Sequence, residues 1–134
     1  MCIRDSHNHG PGSRYNTIED SLAAIDGLDE RIGCIVDSGH YLRSDINPAE
    51  AVHVLRGRVH GVHLKSVAAR TADAPDTIVG RGELEGVAFH LAVAESGLPA
   101  DVSISLEYEA NLDPFEDLVE SLDLIDMWID LEPA

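Results

Sequence analysis

Basic side chains are scarce in this sequence, and Lys65 is its only lysine. Nine Lys and Arg residues face 25 Asp and Glu residues, which gives a formal net charge of −16 at pH 7. A surface with this balance repels phosphate backbones and anionic lipid headgroups. We therefore expect no nucleic-acid partner and no membrane attachment.

Cysteine is equally scarce, and long apolar segments are missing. Cys2 and Cys34 are too few for a disulfide framework and are not spaced like zinc ligands. No apolar run approaches the roughly 20 residues that cross a bilayer, and the first residues do not resemble a secretion signal. These features favour a soluble protein of a reducing compartment, the cytoplasm.

The chain of 134 residues, 44% of them hydrophobic, is long enough for one domain. Three short apolar segments, residues 33–37, 59–65 and 102–107, are predicted to be buried strands. Each begins with small or β-branched residues and ends in a polar side chain. The residues on the opposite face of each strand are predicted to pack against surrounding helices: Cys34, Val36, Val62, Leu64, Ile104 and Leu106. Ser38-Gly39, directly after the first segment, is typical of a turn.

Helices are predicted between these strands. Residues 17–28 and 84–96 carry apolar side chains at helical spacing, and Gly97 is typical of the position after a helix end. Two further helix starts place an N-cap residue before a proline at the first helical position: Asn47-Pro48 and Asp113-Pro114. The predicted order alternates helix and strand from residue 17 onward.

Alternating helices and strands indicate a parallel sheet. A dinucleotide fold would need a glycine-rich turn after its first strand, but Gly80-Arg81-Gly82 follows no clear strand and lacks the third glycine. A (β/α)8 barrel is therefore favoured.

Alternation along each strand predicts that Asp37, His63 and Glu107 face the same side and meet at the carboxyl ends of the strands. Histidine and carboxylate donors suit a divalent ion, although polar strand ends are also common as simple solvated positions. His60 is predicted on the opposite face, as a structural or surface residue. His53 and His90 are predicted to be surface or packing residues of helices.

Five segments resemble the second half of the xylose-isomerase-like TIM-barrel family of sugar phosphate isomerases and epimerases. They occur in order along the chain: HNHGP at 7–11, IGCIVDSGH at 32–40, RVHGVHLK at 58–65, GRGELE at 80–85 and SLEYE at 105–109. The resemblance implies an α/β fold in which residues 7–134 form the C-terminal half of a (β/α)8 barrel, truncated at the N-terminus.

The resemblance also implies a site with one divalent metal ion (Mn, Mg, Co, Zn or Fe). Its metal ligands would be His7, Asp37, His63 and Glu107. Glu107 would be the catalytic base and His40 a catalytic and substrate-binding residue, and three weaker candidates for substrate binding are His9, Lys65 and Arg81.

The implied reaction is isomerisation or epimerisation of a sugar or sugar phosphate, by proton abstraction next to a carbonyl through a metal-stabilised enediolate. Commoner family members carry glutamate where this chain has His7, so one-sided proton abstraction becomes more plausible, as in a keto-sugar or inosose dehydratase or a lyase. Two other hypotheses for the function are a non-catalytic sugar-binding barrel and an apurinic endonuclease. The endonuclease needs further histidine ligands, and no histidine lies between Ser66 and Glu83.

Residues 1–6 are predicted to be non-native, because their back-translation resembles a sequencing-library adaptor; the alternative is a naturally short protein. In this interpretation the chain needs an N-terminal half from a barrel of about 250 residues and shows little activity alone. Strands 33–37 and 102–107 would lie nearer the open edges of the half-barrel, which favours self-association into a homo-oligomer or aggregation.

Overall fold

The computed structural model describes residues 4–111 and 113–130 as a parallel sheet with helices between its strands. Cys2 and the first half of the predicted 1–6 segment lie outside the described residues. The strands are β1 (Arg4–His7), β2 (Ile32–Asp37), β3 (Val59–Leu64), β4 (Ser66–Val67), β5 (Asp76–Thr77) and β6 (Ser103–Leu106). The helices are α1 (Ile18–Ile25), α2 (Ser38–Arg43), α3 (Pro48–Leu55), α4 (Gly86–Glu95) and α5 (Phe115–Ile129).

The main sheet has the order β1-β2-β3-β6, and all three of its strand pairs are parallel. The predicted α/β fold with a parallel sheet is confirmed. Between β3 and α4, the short strands β4 and β5 form an antiparallel hairpin that the sequence pattern did not indicate. This hairpin lies beside the carboxyl end of β3, near the predicted site.

Because strand β1 is present, the predicted strand 33–37, which is β2 in the structure, does not lie where it was expected. Arg4–His7 pair in register with Ile32–Ile35, so β2 lies inside the sheet and not nearer an open edge. The segment RDSH has only polar side chains, so its sequence does not predict a strand. It forms one because its backbone pairs with that of β2. The predicted edge position of the last strand agrees with the observed place of β6.

The predicted turn at Ser38-Gly39 is wrong, because these residues begin helix α2. The Asp37 side chain accepts a hydrogen bond of 2.8 Å from the His40 N–H and so caps this helix. A carboxylate at a strand end can cap either a turn or a helix, and here the apolar residues that follow, Tyr41 and Leu42, are fully buried against the sheet.

Most of the other predicted helix ends lie close to the observed ones, but helix α1 ends at Ile25, short of the predicted end at Leu28. Asn47 accepts a hydrogen bond from the Ala49 N–H as the N-cap of α3, and Gly97 has a positive φ of 68° just after α4. Helix α5 starts one residue later than predicted. Pro114 is its N-cap and no side chain caps it, so Asp113 does not have the predicted N-cap role.

The hydrophobic core lies between the outer face of the sheet and the helices. Cys34, Val36, Val62 and Leu64 are buried there as predicted. Their main partners from the helices are Ile18, Ile25, Leu42, Val52, Leu55 and Phe89. The same face of β6 differs from the prediction, because Ile104 is 54% exposed.

A register shift between β2 and β3 moves His60 to the inner face of the sheet. Cys34 pairs with Val59 and Ile35 pairs with Gly61, which leaves His60 as an extra residue. Its Nδ1 lies 2.6 Å from Asp5 Oδ1. The predicted position of His60 on the opposite face is therefore wrong, because simple alternation takes no account of a bulge.

The predicted positions of the two helical histidines agree with the structure. His53 is exposed on α3 and His90 is half-buried on α4. Among the described residues, no helix combines the length and the apolar character that a membrane span requires.

Candidate metal centre

Four side chains from the carboxyl ends of the parallel strands lie together. His7 and Asp37 are the last residues of β1 and β2, and His63 is the penultimate residue of β3. Glu107 directly follows β6, where its N–H donates a 3.0 Å hydrogen bond to the Leu64 carbonyl and so continues the strand pairing. The sheet therefore fixes the backbone positions of all four residues.

The donor atoms of these side chains are closely spaced. His63 Nδ1 lies 3.2 Å from His7 Nε2 and 2.7 Å from Glu107 Oε2. Asp37 Oδ2 lies 3.8 Å from His7 Nε2 and 3.9 Å from His63 Nδ1. Two ligands that are each about 2.1 Å from a tetrahedral ion lie roughly 3.4 Å apart, so these separations fit a shared metal ion.

Three of the four residues form the tighter group. The donor atoms of His7, Asp37 and His63 all lie within 4.8 Å of one another. Glu107 is outside this group and contacts it through His63. The geometry thus gives three convergent ligands and a fourth carboxylate beside them.

Asp37 gives the clearest indication that this group of side chains can bind a cation. Its side chain is fully buried, and its Oδ2 atom has no hydrogen-bond partner among the described residues. Burial raises the pKa of this carboxyl, while the His40 N–H and the Lys65 charge act in the opposite direction. A buried carboxylate oxygen that faces two imidazole nitrogens is an arrangement that a bound cation satisfies.

The charges around the group support the same conclusion. The Lys65 ammonium is fully buried and lies within 4.0 Å of oxygens of four carboxylates: Asp37, Asp76, Glu107 and Glu109. Arg43 pairs with Asp76 at 2.6 Å and is the second cation of the network. Carboxylates thus outnumber the cations of this network, an arrangement that a divalent metal ion would balance.

Lys65 also determines the state of Glu107. Burial opposes ionisation of the Glu107 carboxyl, but the hydrogen bonds from Lys65 (2.7 Å) and His63 outweigh it and lower its pKa. Gly39 makes room for the lysine stem, since a Cβ at that position would lie 2.5 Å from Lys65 Cγ. In this structure Lys65 is thus engaged with carboxylates, and its role in substrate binding stays a prediction.

His40 and His9 form a second layer beside the group. Their rings stack with centroids 3.9 Å apart, and the His40 ring lies 6.0 Å from that of His7. Burial, helped by the neighbouring positive charges, lowers the pKa of His40 to about 3, so this imidazole is neutral. Its Nδ1 is buried and has no hydrogen-bond partner among the described residues.

The remaining candidate, Arg81, lies elsewhere. It forms an ion pair with Glu120 of α5 and is not brought to the group of strand-end ligands. Its predicted contact with substrate remains untested.

Asn8 contributes to the site although no sequence motif indicates it. Asn8 lies between His7 and His9 in the sequence, and its side chain is buried. Its amide makes two hydrogen bonds to the backbone of Asp37, of 2.7 and 3.1 Å. These bonds fix the end of β1 to the end of β2 and orient the Asp37 carboxyl. A single asparagine in a loop carries no signal of this role in the sequence.

Comparison with known proteins finds similarity only at the level of structure. No protein-family model matches the chain, and no curated protein matches it. Solved structures of barrels do match. A xylose isomerase domain protein from Planctomyces limnophilus aligns with a TM-score of 0.71 and 18% identity, over 94% of this chain and 45% of that one.

Two further solved structures give the same result. The IOLI protein with a bound zinc atom aligns with a TM-score of 0.73 and 17% identity, over 96% of this chain and 50% of its own. The 3-keto-D-glucoside 4-epimerase YcjR from E. coli aligns with a TM-score of 0.73 and 19% identity, over 93% of this chain and 46% of that one. The chain thus has the fold of xylose-isomerase-like TIM barrels and spans about half the length of the barrels it matches.

Proposed function

We propose that the chain carries the metal-binding side of a divalent-metal-dependent enzyme that abstracts a proton next to the carbonyl of a sugar or keto-sugar. Isomerisation or epimerisation is the favoured outcome. The observation that carries the proposal is the strand-end group of His7, Asp37 and His63 with Glu107 beside it, in which a buried Asp37 oxygen has no partner among the described residues. The shared fold with a sugar epimerase and a zinc-containing barrel supports it.

His7, Asp37 and His63 would hold the ion, and Glu107 would be the fourth ligand. Imidazole and carboxylate donors suit Mn, Co, Zn, Fe or Mg. When bound, such an ion polarises a carbonyl oxygen and stabilises the negative charge that develops on it.

Glu107 is the best candidate for the base. Its side chain is 31% exposed and so can reach a substrate, whereas Asp37 is fully buried and caps helix α2. The Lys65 hydrogen bond keeps the Glu107 carboxyl ionised, which is the form that accepts a proton. Neutral His40, stacked on exposed His9, offers a hydrogen-bonding surface for substrate hydroxyls.

A dehydratase or lyase is the second candidate. Epimerisation by two bases needs a second carboxylate across the substrate from Glu107. The resemblance to the family implies that His7 stands where commoner members carry glutamate, so this chain would lack the second carboxylate. Abstraction by Glu107 from one side, followed by loss of a hydroxyl group, uses the same residues and the same first step. The nature of the product distinguishes the two reactions.

The test is solvent exchange. A panel of ketoses and keto-sugars is incubated in deuterated buffer with Mn²⁺ and a full-length barrel that carries this chain as its C-terminal half. Proton NMR follows loss of the signal at the carbon next to the carbonyl. We expect metal-dependent exchange that Glu107→Gln abolishes. Glu109→Gln is the matched control, because Glu109 also contacts Lys65 but is 69% exposed.

Exchange that persists in Glu107→Gln would contradict the assigned base. Failure of every substrate in the panel to exchange at saturating metal would contradict the proposed reaction class.

A further inference from the structure

The hairpin of β4 and β5 brings a buried carboxylate, that of Asp76 in β5, to the network around Lys65. Its two oxygens have different partners. Oδ1 accepts a 2.6 Å hydrogen bond from the Arg43 guanidinium, and Oδ2 accepts one of 2.8 Å from the Glu109 N–H. The Lys65 ammonium lies 4.0 Å from Oδ2. One side chain therefore joins the hairpin to helix α2, to the residue after β3 and to the segment after β6.

Arg43 fixes the orientation of the Asp76 carboxylate. Its Nη2 donates to Asp76, and its Nε donates a 2.9 Å hydrogen bond to the Ala74 carbonyl in the same hairpin. The guanidinium is planar and its side chain is only 14% exposed, so the two bonds hold it in one position. The carboxylate is therefore held more firmly than it would be by an exposed ion pair.

The hydrogen bond to the Glu109 N–H restrains the backbone just beyond Glu107. The Glu107 N–H donates to the Leu64 carbonyl, but residues 107–111 form neither helix nor strand. At Glu109 the Asp76 side chain supplies the acceptor that a neighbouring strand would otherwise supply. Glu107 is thus held by the sheet at its own N–H and by Asp76 two residues later.

The side chain of Glu107 is restrained through Lys65. The Lys65 ammonium donates a 2.7 Å hydrogen bond to Glu107 Oε1, and Oε2 lies 2.7 Å from His63 Nδ1. The same ammonium is attracted by the Asp76 carboxylate. With Oε1 bound to Lys65, Oε2 is the oxygen that faces the strand-end histidines.

We propose that Asp76 is a positioning residue for Glu107. It holds the segment after β6 so that the Glu107 carboxylate lies beside the group of His7, Asp37 and His63. This inference rests on the proposed function, in which Glu107 is the fourth metal ligand and the base. Asp76 is itself buried and lies outside the group of three convergent ligands, so its effect on the metal centre passes through Glu107.

A double-mutant cycle on Mn²⁺ affinity tests the proposal, with isothermal titration calorimetry of the 134-residue chain. Asp76→Asn keeps the shape of the side chain but removes its charge and one acceptor oxygen. We expect Asp76→Asn to weaken Mn²⁺ binding by about tenfold or more, and Glu107→Ala to weaken it at least as much. Added to Glu107→Ala, Asp76→Asn is expected to change the affinity by less than about twofold, because the residue that it positions is already absent.

Asp73→Asn is the matched control. Asp73 is exposed in the loop that joins β4 to β5, so this variant removes the same charge from the same hairpin. It is expected to bind Mn²⁺ like the parent. A parent-like affinity in either Asp76→Asn or Glu107→Ala would overturn the proposal.

Equal losses from Asp76→Asn in the parent and in the Glu107→Ala background would also overturn it, because a purely structural or long-range electrostatic effect weakens binding in both. The cycle uses no substrate. A failure of the proposed reaction in the deuterium-exchange experiment is therefore distinguishable from a failure of this proposal.

Hydrogen exchange on the unmodified chain gives a second readout that does not depend on the folding of a variant. The Glu109 amide lies outside the helices and strands, and the Asp76 carboxylate accepts its hydrogen bond. We expect this amide to exchange at least about tenfold more slowly than an unstructured amide. Exchange at the rate of an unstructured amide would overturn the proposal.

Discussion

Lys65 is the residue on which the charges of the site depend. Its ammonium has no exposed surface and contacts Glu107 at 2.7 Å and Glu109 at 3.0 Å, with Asp37 and Asp76 4.0 Å away. Removing one partner of a buried ionic network leaves the other charges unpaired, which costs far more than the loss of an exposed ion pair. The only lysine of the sequence is thus part of the structure of the site.

We predict that Lys65→Met lowers the free energy of unfolding of the metal-free chain by about 3–5 kcal/mol. Arg70→Met is the control, because Arg70 forms partly exposed ion pairs with Asp45 and Glu83, and its loss is expected to cost less than about 1 kcal/mol. Urea denaturation followed by circular dichroism measures both values. If both variants lost the same free energy of unfolding, the buried ion pairs of Lys65 would contribute no more to stability than exposed ones, which would contradict the prediction.

At the scale of single residues, the meeting of three strand-end side chains could be predicted from the alternation along each strand. Asp37, His63 and Glu107 meet as expected from alternation. Asn8 and Asp76 could not be found in this way. Their contacts join segments that are far apart in the sequence, as in the 29-residue separation of Asn8 and Asp37, and a single polar residue does not indicate such a partner.

At the scale of the strands, the bulge in β3 determines where His60 lies. The extra residue brings the imidazole over Gly33, so that it reaches Asp5 on the far side of β2. Gly33 is required here, because a Cβ would lie 2.6 Å from the His60 ring and would also meet the Arg58 carbonyl oxygen. The strand could be predicted from its apolar residues, but the bulge depends on pairing with β2 and could not.

We predict that Gly33→Ala destabilises the fold by about 1–3 kcal/mol, because backbone or ring must move to admit the methyl group. Gly57→Ala is the matched control, since a Cβ there meets no atom within 4 Å and φ is not positive. It is expected to be neutral or slightly stabilising. Thermal unfolding of both variants measures the difference, and similar melting temperatures would contradict the packing described at β2.

At the scale of the whole molecule, the excess of acidic residues acts on stability. The net charge is −16, and the carboxylates in excess repel one another in the folded chain. Screening shortens the range of this repulsion, since the Debye length falls from about 10 Å at about 0.1 M salt to about 3 Å at about 1 M. We predict that KCl and NaCl raise the melting temperature equally over this range. A melting temperature that falls or stays constant would show that self-repulsion does not limit stability.

The parallel α/β fold could be predicted for the whole molecule, since strand and helix segments alternate along the sequence. The exposed outer face of β6 could not, because it depends on how far α5 covers the sheet. Ile104 has the pattern of a core residue and is nevertheless 54% exposed. Whether such a residue is buried is decided by the elements that pack on it, not by its own segment.

The central claim is that His7, Asp37 and His63 bind a divalent metal ion, and isothermal titration calorimetry with Mn²⁺ tests it most directly. We predict one ion per chain and a loss of at least about tenfold in affinity for Asp37→Asn, which can still cap α2 through its side-chain oxygen. Asp45→Asn, at an exposed position with positive φ, is the control and should bind like the parent. No Mn²⁺ binding by the folded parent, or equal affinity in Asp37→Asn, would contradict the claim.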